Sequence, residues 1–366
     1  MKNPFNPSFG RVPKIYLDRT QTVKQLETDI QDVDSPYLTT LIYGMRGSGK
    51  TALLTDVSRD IRKLPDWLVV DLTMSDKLIP TLIELVYKQA DRGLQKLLTG
   101  INGISVDTAG ILKVAYQRDR SSVTNSPHQP LLESLAETLH QRKLKLLITI
   151  DEISSTPALR EFASIYQILL RNEYHIALLM AGLPSKVSEL QNDDVLTFLL
   201  RSQRIYLEPL SLLTIKSSYQ TAFSRDGRSI NSANLNYITK ATNGYAYAFQ
   251  LLGFLLWRTG AQQINRGTIM QVLPKYKEEL FRNVYLKMYQ ELSDVDQDFV
   301  YAMASLNQEP VKTAAIGAKM GKPKNYISIY RRRLIDDQLI IAPAWGEVKF
   351  TLPYFGEFVQ EYHDLY

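Results

Sequence analysis

The sequence predicts an α/β fold in which a parallel sheet core is followed by a helical region and a small C-terminal domain. Three observations support this prediction. A glycine-rich stretch at residues 44–51 lies between an apolar strand and a helix, a second apolar strand at residues 144–150 ends in two acids, and strands alternate with helices between them. Such alternation is typical of a parallel sheet covered by helices.

Composition limits the class of protein. The 366 residues are enough for two or three domains, and 45% hydrophobic with 22% charged residues excludes a disordered or fibrous chain. Apolar runs are shorter than the roughly 18 residues of a membrane span, and the N-terminus has no apolar signal segment, so we expect a cytoplasmic protein without a membrane partner. The chain has no cysteine and four scattered histidines, which indicates neither disulfides nor a thiolate or histidine metal cluster. A net charge of +5 is compatible with a polyanionic partner but does not require one.

The N-terminal segment at residues 3–19 holds three prolines and two phenylalanines. It is too irregular for a helix and too aromatic for a disordered tail, so it is interpreted as a tethered arm. In one interpretation Phe5, Phe9 and Val12 pack on a nucleotide base. In the other the arm is a strap across the surface of the domain.

The glycine-rich stretch satisfies the spacing G-x-x-x-x-G-K-[ST] at Gly44, Gly49, Lys50 and Thr51, which is the Walker A pattern. Glycines allow a tight turn whose N–H groups point at phosphates, and the following helix adds partial positive charge. Lys50 then reaches the β- and γ-phosphates and the Thr51 hydroxyl holds Mg²⁺. The alternative is a glycine-rich turn that fits by chance. The predicted nucleotide-binding residues are Gly44, Arg46, Gly47, Ser48, Gly49, Lys50, Thr51 and Ala52.

The second apolar strand ends in Asp151 and Glu152, a Walker B pattern. With a Walker A loop about a hundred residues earlier, Asp151 is predicted to share the metal with Thr51. Glu152 is predicted to be the catalytic base that orients and deprotonates the attacking water. By itself, an Asp-Glu pair after a strand is often only the start of a loop.

Two arginines, Arg201 and Arg204, precede the final strand of the core. An arginine at this position of an ATPase can present its charge to the γ-phosphate in the same or a neighbouring subunit, so either is a candidate for this catalytic role. Surface ion pairing is the equally open alternative for each.

The chain is predicted to have three parts. Residues 1–210 form the arm and core, with an insertion at about 99–130 whose role is not predicted. Residues 211–285 are wholly helical and form a lid. Residues 286–366 contain three helices followed by a hairpin, which is the winged-helix form of helix-turn-helix.

The third helix of the C-terminal part is basic, because residues 322–333 hold five bases and no acid. This charge suits contact with the phosphates of duplex DNA. However, residues 291–366 hold 8 Lys and Arg against 11 Asp and Glu, a net charge of −3, and winged helices also contact proteins. The predicted DNA-binding residues are Lys322, Lys324, Asn325, Ser328, Arg331 and Arg332.

Taken together, these motifs resemble the AAA+ and STAND-like P-loop ATPases, in the same broad group as the origin-recognition-type initiators. The resemblance covers nearly the whole chain. It rests on Asn3-Pro-Phe-Asn-Pro-Ser-Phe-Gly10, Gly44-Met-Arg-Gly-Ser-Gly-Lys-Thr51, Ile150-Asp-Glu152, Ala181-Gly-Leu-Pro184, Asn243-Gly-Tyr245 and the terminal winged helix.

The resemblance implies ATP and Mg²⁺ as cofactors, a nucleotide-dependent switch, and an arginine finger at Arg201. The sequence departs from the family at three places. Leu17-Asp-Arg19 replaces a Gly-Arg-Glu stretch, Met180-Ala-Gly182 offers no polar sensor side chain, and the helix after Gly244 lacks the second sensor arginine. We therefore expect nucleotide binding with slow hydrolysis.

Three functions are compatible with these features. The first is an ATPase switch that presents its winged helix to duplex DNA. The second is a STAND-type signalling or assembly ATPase whose winged helix contacts protein, in a homo-oligomer with nucleotide at the subunit interfaces. A small-molecule kinase is less favoured, because such kinases seldom carry a helical lid and a winged helix.

Overall fold

A computed structural model describes residues 2–8, 12–15, 19–101, 104–106, 112–114, 128–191 and 193–365. Most of the predicted insertion at 99–130 lies outside these residues, as do Phe9 and the Leu17-Asp18 pair. Within the described part of the insertion, two short strands pair in antiparallel register.

The secondary structure follows the predicted alternation. The strands are β1 (Thr39–Tyr43), β2 (Trp67–Thr73), β3 (Ile104–Val106), β4 (Leu112–Val114), β5 (Lys145–Asp151), β6 (Ile176–Gly182), β7 (Gln203–Tyr206), β8 (Ser229–Ile230), β9 (Gln263–Ile264), β10 (Val311–Lys312), β11 (Ile340–Ile341) and β12 (Glu347–Phe350). The helices are α1 (Thr20–Ile30), α2 (Lys50–Ile61), α3 (Leu78–Gln89), α4 (Arg92–Leu98), α5 (Gln129–Gln141), α6 (Pro157–Arg171), α7 (Pro184–Gln191), α8 (Leu212–Arg225), α9 (Ser232–Lys240), α10 (Ala246–Arg258), α11 (Arg266–Leu280), α12 (Leu286–Gln290), α13 (Asp294–Ala304), α14 (Thr313–Met320), α15 (Lys324–Asp336) and α16 (Phe355–Leu365). Two 3₁₀ turns and one π turn complete the set, at Pro36–Leu38, Asp194–Arg201 and Phe281–Tyr285.

The chain divides into two compact units. We call residues 21–43 and 53–206 the sheet unit, and residues 1–20, 44–52 and 207–366 the loop unit. The loop unit therefore contains the glycine-rich stretch together with the predicted lid and C-terminal parts. The predicted boundaries near residues 210 and 285 remain predictions.

The sheet unit is built on five parallel strands in the order β2-β5-β6-β1-β7. This confirms the predicted α/β core with a parallel sheet. All seven residues of β6 are buried, as expected of a central strand covered on both faces. The core is largely aliphatic, since Leu, Ile and Val side chains from the strands pack against α3, α5 and α6.

The carboxyl ends of three neighbouring strands lie at one edge of the sheet. In the parallel register Tyr43 pairs with Gly182 and Ile150 pairs with Met180, so β1, β5 and β6 end at the same edge. Asp151 ends β5 at this edge, and Tyr43 is the last strand residue before the glycine-rich stretch in sequence.

The core of the loop unit is rich in aromatic side chains. Phe5 of the N-terminal arm is 2% exposed and contacts Tyr219, Phe249 and Trp257. It fits there because Gly253 of α10 has no side chain, and an added Cβ would lie 2.5 Å from the Phe5 ring. For Phe5, neither interpretation from the sequence was correct, because the ring packs inside the helical core of this unit.

The C-terminal residues combine helices α13 to α16 with a three-stranded antiparallel sheet in the order β10-β12-β11. The sequence predicted a hairpin of two strands. Instead, Val311 pairs with Val348 as a third strand, just before α14 begins at Thr313. Helix α16 was not predicted. The assignment of this region as a winged helix remains a prediction.

Among the helices that the structure describes, none is both long and apolar enough to cross a membrane.

Candidate nucleotide site and basic helix

The stretch at residues 44–49 forms a turn between β1 and α2, as the spacing predicts. Gly47 and Gly49 have φ angles of 77° and 100°, in the left-handed region where glycine costs least. At Gly47 a second requirement applies, because an added Cβ would overlap the hydroxyl of Tyr245. Helix α2 then begins at Lys50, so its N-terminus faces the turn as a phosphate site requires.

Lys50 is folded back over the turn. Its Nζ donates hydrogen bonds to the carbonyl oxygens of Gly44 at 2.7 Å and Met45 at 2.9 Å. These bonds fix the ammonium group above the phosphate-binding loop. The Thr51 hydroxyl follows on the first turn of α2, at the position predicted for Mg²⁺.

The loop is held by Tyr245, the residue just before α10, which the sequence did not identify as part of the site. The Tyr245 hydroxyl donates to the carbonyl oxygen of Arg46 at 2.9 Å. The side chain is only 3% exposed, and burial raises its pKa, so the hydroxyl stays protonated and continues to donate at neutral pH.

The loop is also held by C-terminal residues. The N–H of Met45 donates to Oε1 of Gln338 at 3.0 Å, and the Arg46 guanidinium pairs with Glu291 at 3.2 Å. Gln338 is 8% exposed, whereas the Arg46–Glu291 pair is partly solvated and weaker. No local signal could reveal these partners, which lie more than 240 residues away in sequence.

In the sheet unit, Asp151 and Glu152 occupy the end of β5. An Asp151 carboxylate oxygen accepts the N–H of Glu152 at 2.9 Å. Glu152 is exposed and has a φ of 55°, a left-handed conformation that is uncommon outside glycine and that clusters at functional sites. The strand ends at Asp151, and the backbone bends at Glu152.

The predicted metal ligands have suitable chemistry. The Thr51 hydroxyl and the Asp151 carboxylate are oxygen donors, which Mg²⁺ prefers, and a site of this kind keeps several waters instead of a full protein cage. The described residues contain no group of three or more His, Asp or Glu side chains arranged for a metal.

The end of β6, where the sequence predicted no polar sensor side chain, is apolar in the structure. Met180 and Ala181 are fully buried, and Gly182 packs against Ile153, where an added Cβ would lie 2.7 Å from a side-chain carbon. There is no room for a polar side chain at Gly182 without displacing Ile153. The packing of Ile153 against Gly182 therefore explains why the sequence has no polar side chain at this position.

The two candidate arginines lie close together in the sheet unit. Arg201 ends the 3₁₀ turn and is exposed, and Arg204 lies on the edge strand β7 with its guanidinium 3.3 Å from the carbonyl oxygen of Leu200. The exposure of Arg201 is compatible with either predicted role, in the same or a neighbouring subunit, and the arginine-finger assignment stays a prediction.

The predicted DNA-binding residues lie on and just before α15. Most of them are exposed, namely Lys322, Lys324, Asn325, Ser328 and Arg332.

Arg331 was expected to face outward but is half-buried, with its Nε enclosed. It lies on the same helical stripe as Ile327 and Leu334, which face the core. Arg333, the fifth base of the segment, pairs with Asp296 and donates to the Ser293 hydroxyl at 2.5 Å. Arg331 is therefore less accessible than the sequence predicted, whereas Arg333 is exposed but has an acidic partner.

One exposed residue beside this face was missed. Trp345, in the turn between β11 and β12, is 94% exposed, and the Lys324 ammonium lies 5.9 Å from the centre of its ring. Ile329 of α15 is also 65% exposed. We use "basic face" below for Lys322, Lys324, Asn325, Ser328 and Arg332.

Comparison with known structures agrees with this architecture. The chain is similar to the Walker-type ATPase PABY2304 of Pyrococcus abyssi, with a TM-score of 0.62 and 16% identity over 94% of this chain and 96% of that one. It is also similar to the ORC2 protein of Aeropyrum pernix in its ADPNP-ADP complexes, with a TM-score of 0.57 and 15% identity over 95% and 94% of the two chains. The chain has the fold of these P-loop ATPases. The resemblance to ATPases of the origin-recognition type is thereby confirmed for the fold.

Comparison by sequence gives less. Residues 282–359 match a family model described as a domain of unknown function (DUF8462). No curated protein matches the chain.

Proposed function

We propose that this protein is a Mg²⁺-dependent ATPase that acts as a nucleotide-dependent switch and binds duplex DNA through its C-terminal residues, arranged as a winged helix. The observation that carries the proposal is the glycine-rich turn before α2, in which Gly47 and Gly49 have left-handed φ angles and Lys50 folds back over the turn. The likeness of fold to two P-loop ATPases supports the same conclusion.

The proposed division of labour follows from the residue types. Backbone N–H groups from Gly47 to Ala52 hold the phosphates, and Lys50 contacts the β- and γ-phosphates. Thr51 and Asp151 would hold Mg²⁺, which neutralises charge that develops on the phosphates. Glu152 orients and deprotonates the attacking water, and Arg201 stabilises the γ-phosphate within a subunit or across an interface of a homo-oligomer.

Hydrolysis is proposed to be slow. The apolar end of β6 supplies no polar group beside the attacking water, so Glu152 has no helper from that strand. A slow ATPase remains in its ATP-bound form for longer, which suits a switch better than a motor.

Duplex DNA is proposed as the partner of the basic face. Lys322, Lys324 and Arg332 are exposed cations that release counterions when they contact phosphates. The turn that carries Trp345 lies beside Lys324 and offers an apolar side chain to a groove. The alternative, in which this region contacts protein, is motivated by its net charge of −3 and is an outcome of the test below.

The proposal is tested by ATP turnover with and without duplex DNA, beside a Lys50→Ala control. We expect turnover that rises when DNA is added and that is absent in the control, because loss of the Lys50 charge weakens nucleotide binding itself. Tight ATP binding with the same low turnover in both conditions would contradict a DNA-linked switch and favour a protein partner.

Glu152→Gln separates binding from chemistry in the same assay. The variant should bind ATP as the wild type does and lose turnover by about 10² to 10⁴, since the amide cannot accept the proton. Unchanged hydrolysis would remove Glu152 from the role of base.

A further inference from the structure

The phosphate-binding loop and the basic helix α15 are joined by one buried side chain. The Met45 N–H, inside the loop, donates to Oε1 of Gln338, and Gln338 lies two residues after the end of α15. We infer that Gln338 is a positioning residue of the nucleotide site and that it transmits nucleotide binding from the loop to α15. This inference rests on the proposed nucleotide site and names how that site would be coupled to the proposed DNA-binding helix.

The hydrogen bond between Met45 and Gln338 is buried. Met45 is 6% and Gln338 8% exposed, so water is largely excluded from both residues. A buried N–H that loses its acceptor is destabilising, because no solvent replaces the bond. The loop conformation with Lys50 above it therefore depends on an acceptor at position 338.

Gln338 is itself fixed to the end of α15. Its N–H donates to the carbonyl oxygen of Ile335 at 2.9 Å, and its own carbonyl oxygen accepts the hydroxyl of Thr351 at 2.6 Å. Its φ of 64° is a left-handed value that a glutamine adopts only when its surroundings hold it. A shift of Met45 is thus passed to a residue that cannot rotate freely, and from there to the last turn of the helix.

Two further hydrogen bonds reinforce the connection between the loop and α15. The Tyr245 hydroxyl donates to the carbonyl oxygen of Arg46, and the Asn243 amide donates to the carbonyl oxygen of Thr351 at 2.8 Å. Hydrogen bonds therefore link the loop, residues 243–245 and the end of α15 into one connected set. Such a connected set moves as a group more readily than in parts.

A small cavity lies beside the Met45–Gln338 bond and is lined by residues that include Ser48, Gly244 and Thr351. Among the described residues the buried Ser48 hydroxyl, which belongs to the same loop, has no hydrogen-bond partner.

The test uses the full chain and needs no DNA. Amide hydrogen exchange of residues 324–336 is measured with and without an ATP analogue, and the affinity for the analogue is measured by fluorescence. In the wild type we expect the analogue to slow exchange in α15 by about fivefold, the lower range of allosteric coupling. In Gln338→Met, which keeps length and loses the acceptor, this change should disappear and affinity should fall about five- to tenfold.

Two control variants make the outcome decisive. Gln338→Glu keeps an oxygen acceptor and should restore both the exchange change and the affinity. Gln250→Met removes a similarly buried glutamine of the same unit, which contacts Asn6 and Ile15 instead of the loop, and should behave as the wild type.

The inference is overturned if Gln338→Met retains the wild-type exchange change and affinity, or if Gln250→Met matches its losses. It is also overturned if the wild type binds the analogue with no change in α15. Failure of the wild type to bind duplex DNA would refute the proposed partner but would leave the exchange result unaltered, so the two ideas fail separately.

Discussion

The phosphate-binding loop and the basic face are both short polar segments of the loop unit, but their surroundings differ. In the loop, the Met45 N–H and the Arg46 carbonyl each bond to a buried side chain 199 or more residues away. On the basic face, the Ser328 hydroxyl donates to the carbonyl oxygen of Lys324 in its own helix, and Arg332 reaches Asp336 one turn later at 3.8 Å.

This difference indicates how strongly the stability of the fold depends on each segment. The loop is shaped by tertiary contacts, so changes there should reduce stability and nucleotide binding together. The basic face is presented by a helix whose buried residues, Ile327 and Leu334, hold it in place without help from the cations. Changes on that face should reduce DNA binding and leave stability unaltered.

The largest effect is expected from Gly47→Ala. The substitution places a Cβ against the buried Tyr245 hydroxyl and also forces a non-glycine residue to a φ of 77°. Overpacking costs about 1–3 kcal/mol and the backbone about 1–2 kcal/mol, so we expect a clear loss of unfolding free energy and a large loss of ATP affinity. Denaturant unfolding and fluorescent-ATP titration measure the two.

Gly227→Ala is the matched control. Gly227 has a φ of 73° and nothing within 4 Å of an added Cβ, so it isolates the backbone cost. If both alanine variants lose the same stability, the contact with Tyr245 does not shape the loop and the comparison fails.

A smaller effect, confined to DNA, is expected from the double variant Lys324→Ala/Arg332→Ala. Both side chains are exposed cations, so duplex affinity at low salt should fall about five- to tenfold. The slope of log K against log salt should shrink by about 2, one for each cation. Thermal unfolding should be unchanged.

The control for charge alone is Arg225→Ala/Lys240→Ala, which removes two exposed cations from α8 and α9. An equal loss of affinity in this control would show that duplex DNA responds to overall charge and not to the basic face.

The smallest effect is expected from Glu27→Gln. Glu27 lies on α1, outside both segments, and its carboxyl group interacts with Asp60 of α2. Burial, followed by a hydrogen bond with Asp60, raises the pKa of Glu27 from 4.5 to about 7. The folded state therefore holds a proton that the unfolded chain releases above pH 4.5, and the stability linked to it is lost as pH rises towards and through 7. Since Glu27 is partly exposed, Gln should raise Tm at pH 8 by only about 2 °C and have little effect near pH 4.5.

Asp29→Asn on the same helix is the control, because its carboxylate accepts from Gln25 and not from another acid. A gain at pH 8 in both variants would attribute the effect to the net charge of α1. Equal Tm gains for Glu27→Gln at low and high pH would contradict the shared proton.

Several features were predictable because their causes are local. The spacing from Gly44 to Thr51 determines a phosphate-binding turn through backbone conformation alone, and the apolar run of β5 with Asp151 determines a buried strand and where it ends. The alternation of these elements then determines a parallel sheet. The C-terminal sheet was only partly predictable, since Val311 becomes a strand by pairing with Val348, 37 residues later.

Sequence by itself therefore determined the fold class and the candidate residues of the nucleotide site. It also predicted a basic helix. Only the tertiary structure decided which groups hold the loop and which cations reach solvent. Tyr245 and Gln338 become loop partners because the chain folds back from distant positions. Arg331 is withdrawn from the basic face by packing, and Arg333, although exposed, is paired with Asp296. The physical reason is that hydrogen-bond partners and burial are set by distances in space, and the sequence pattern specifies such distances only along the chain.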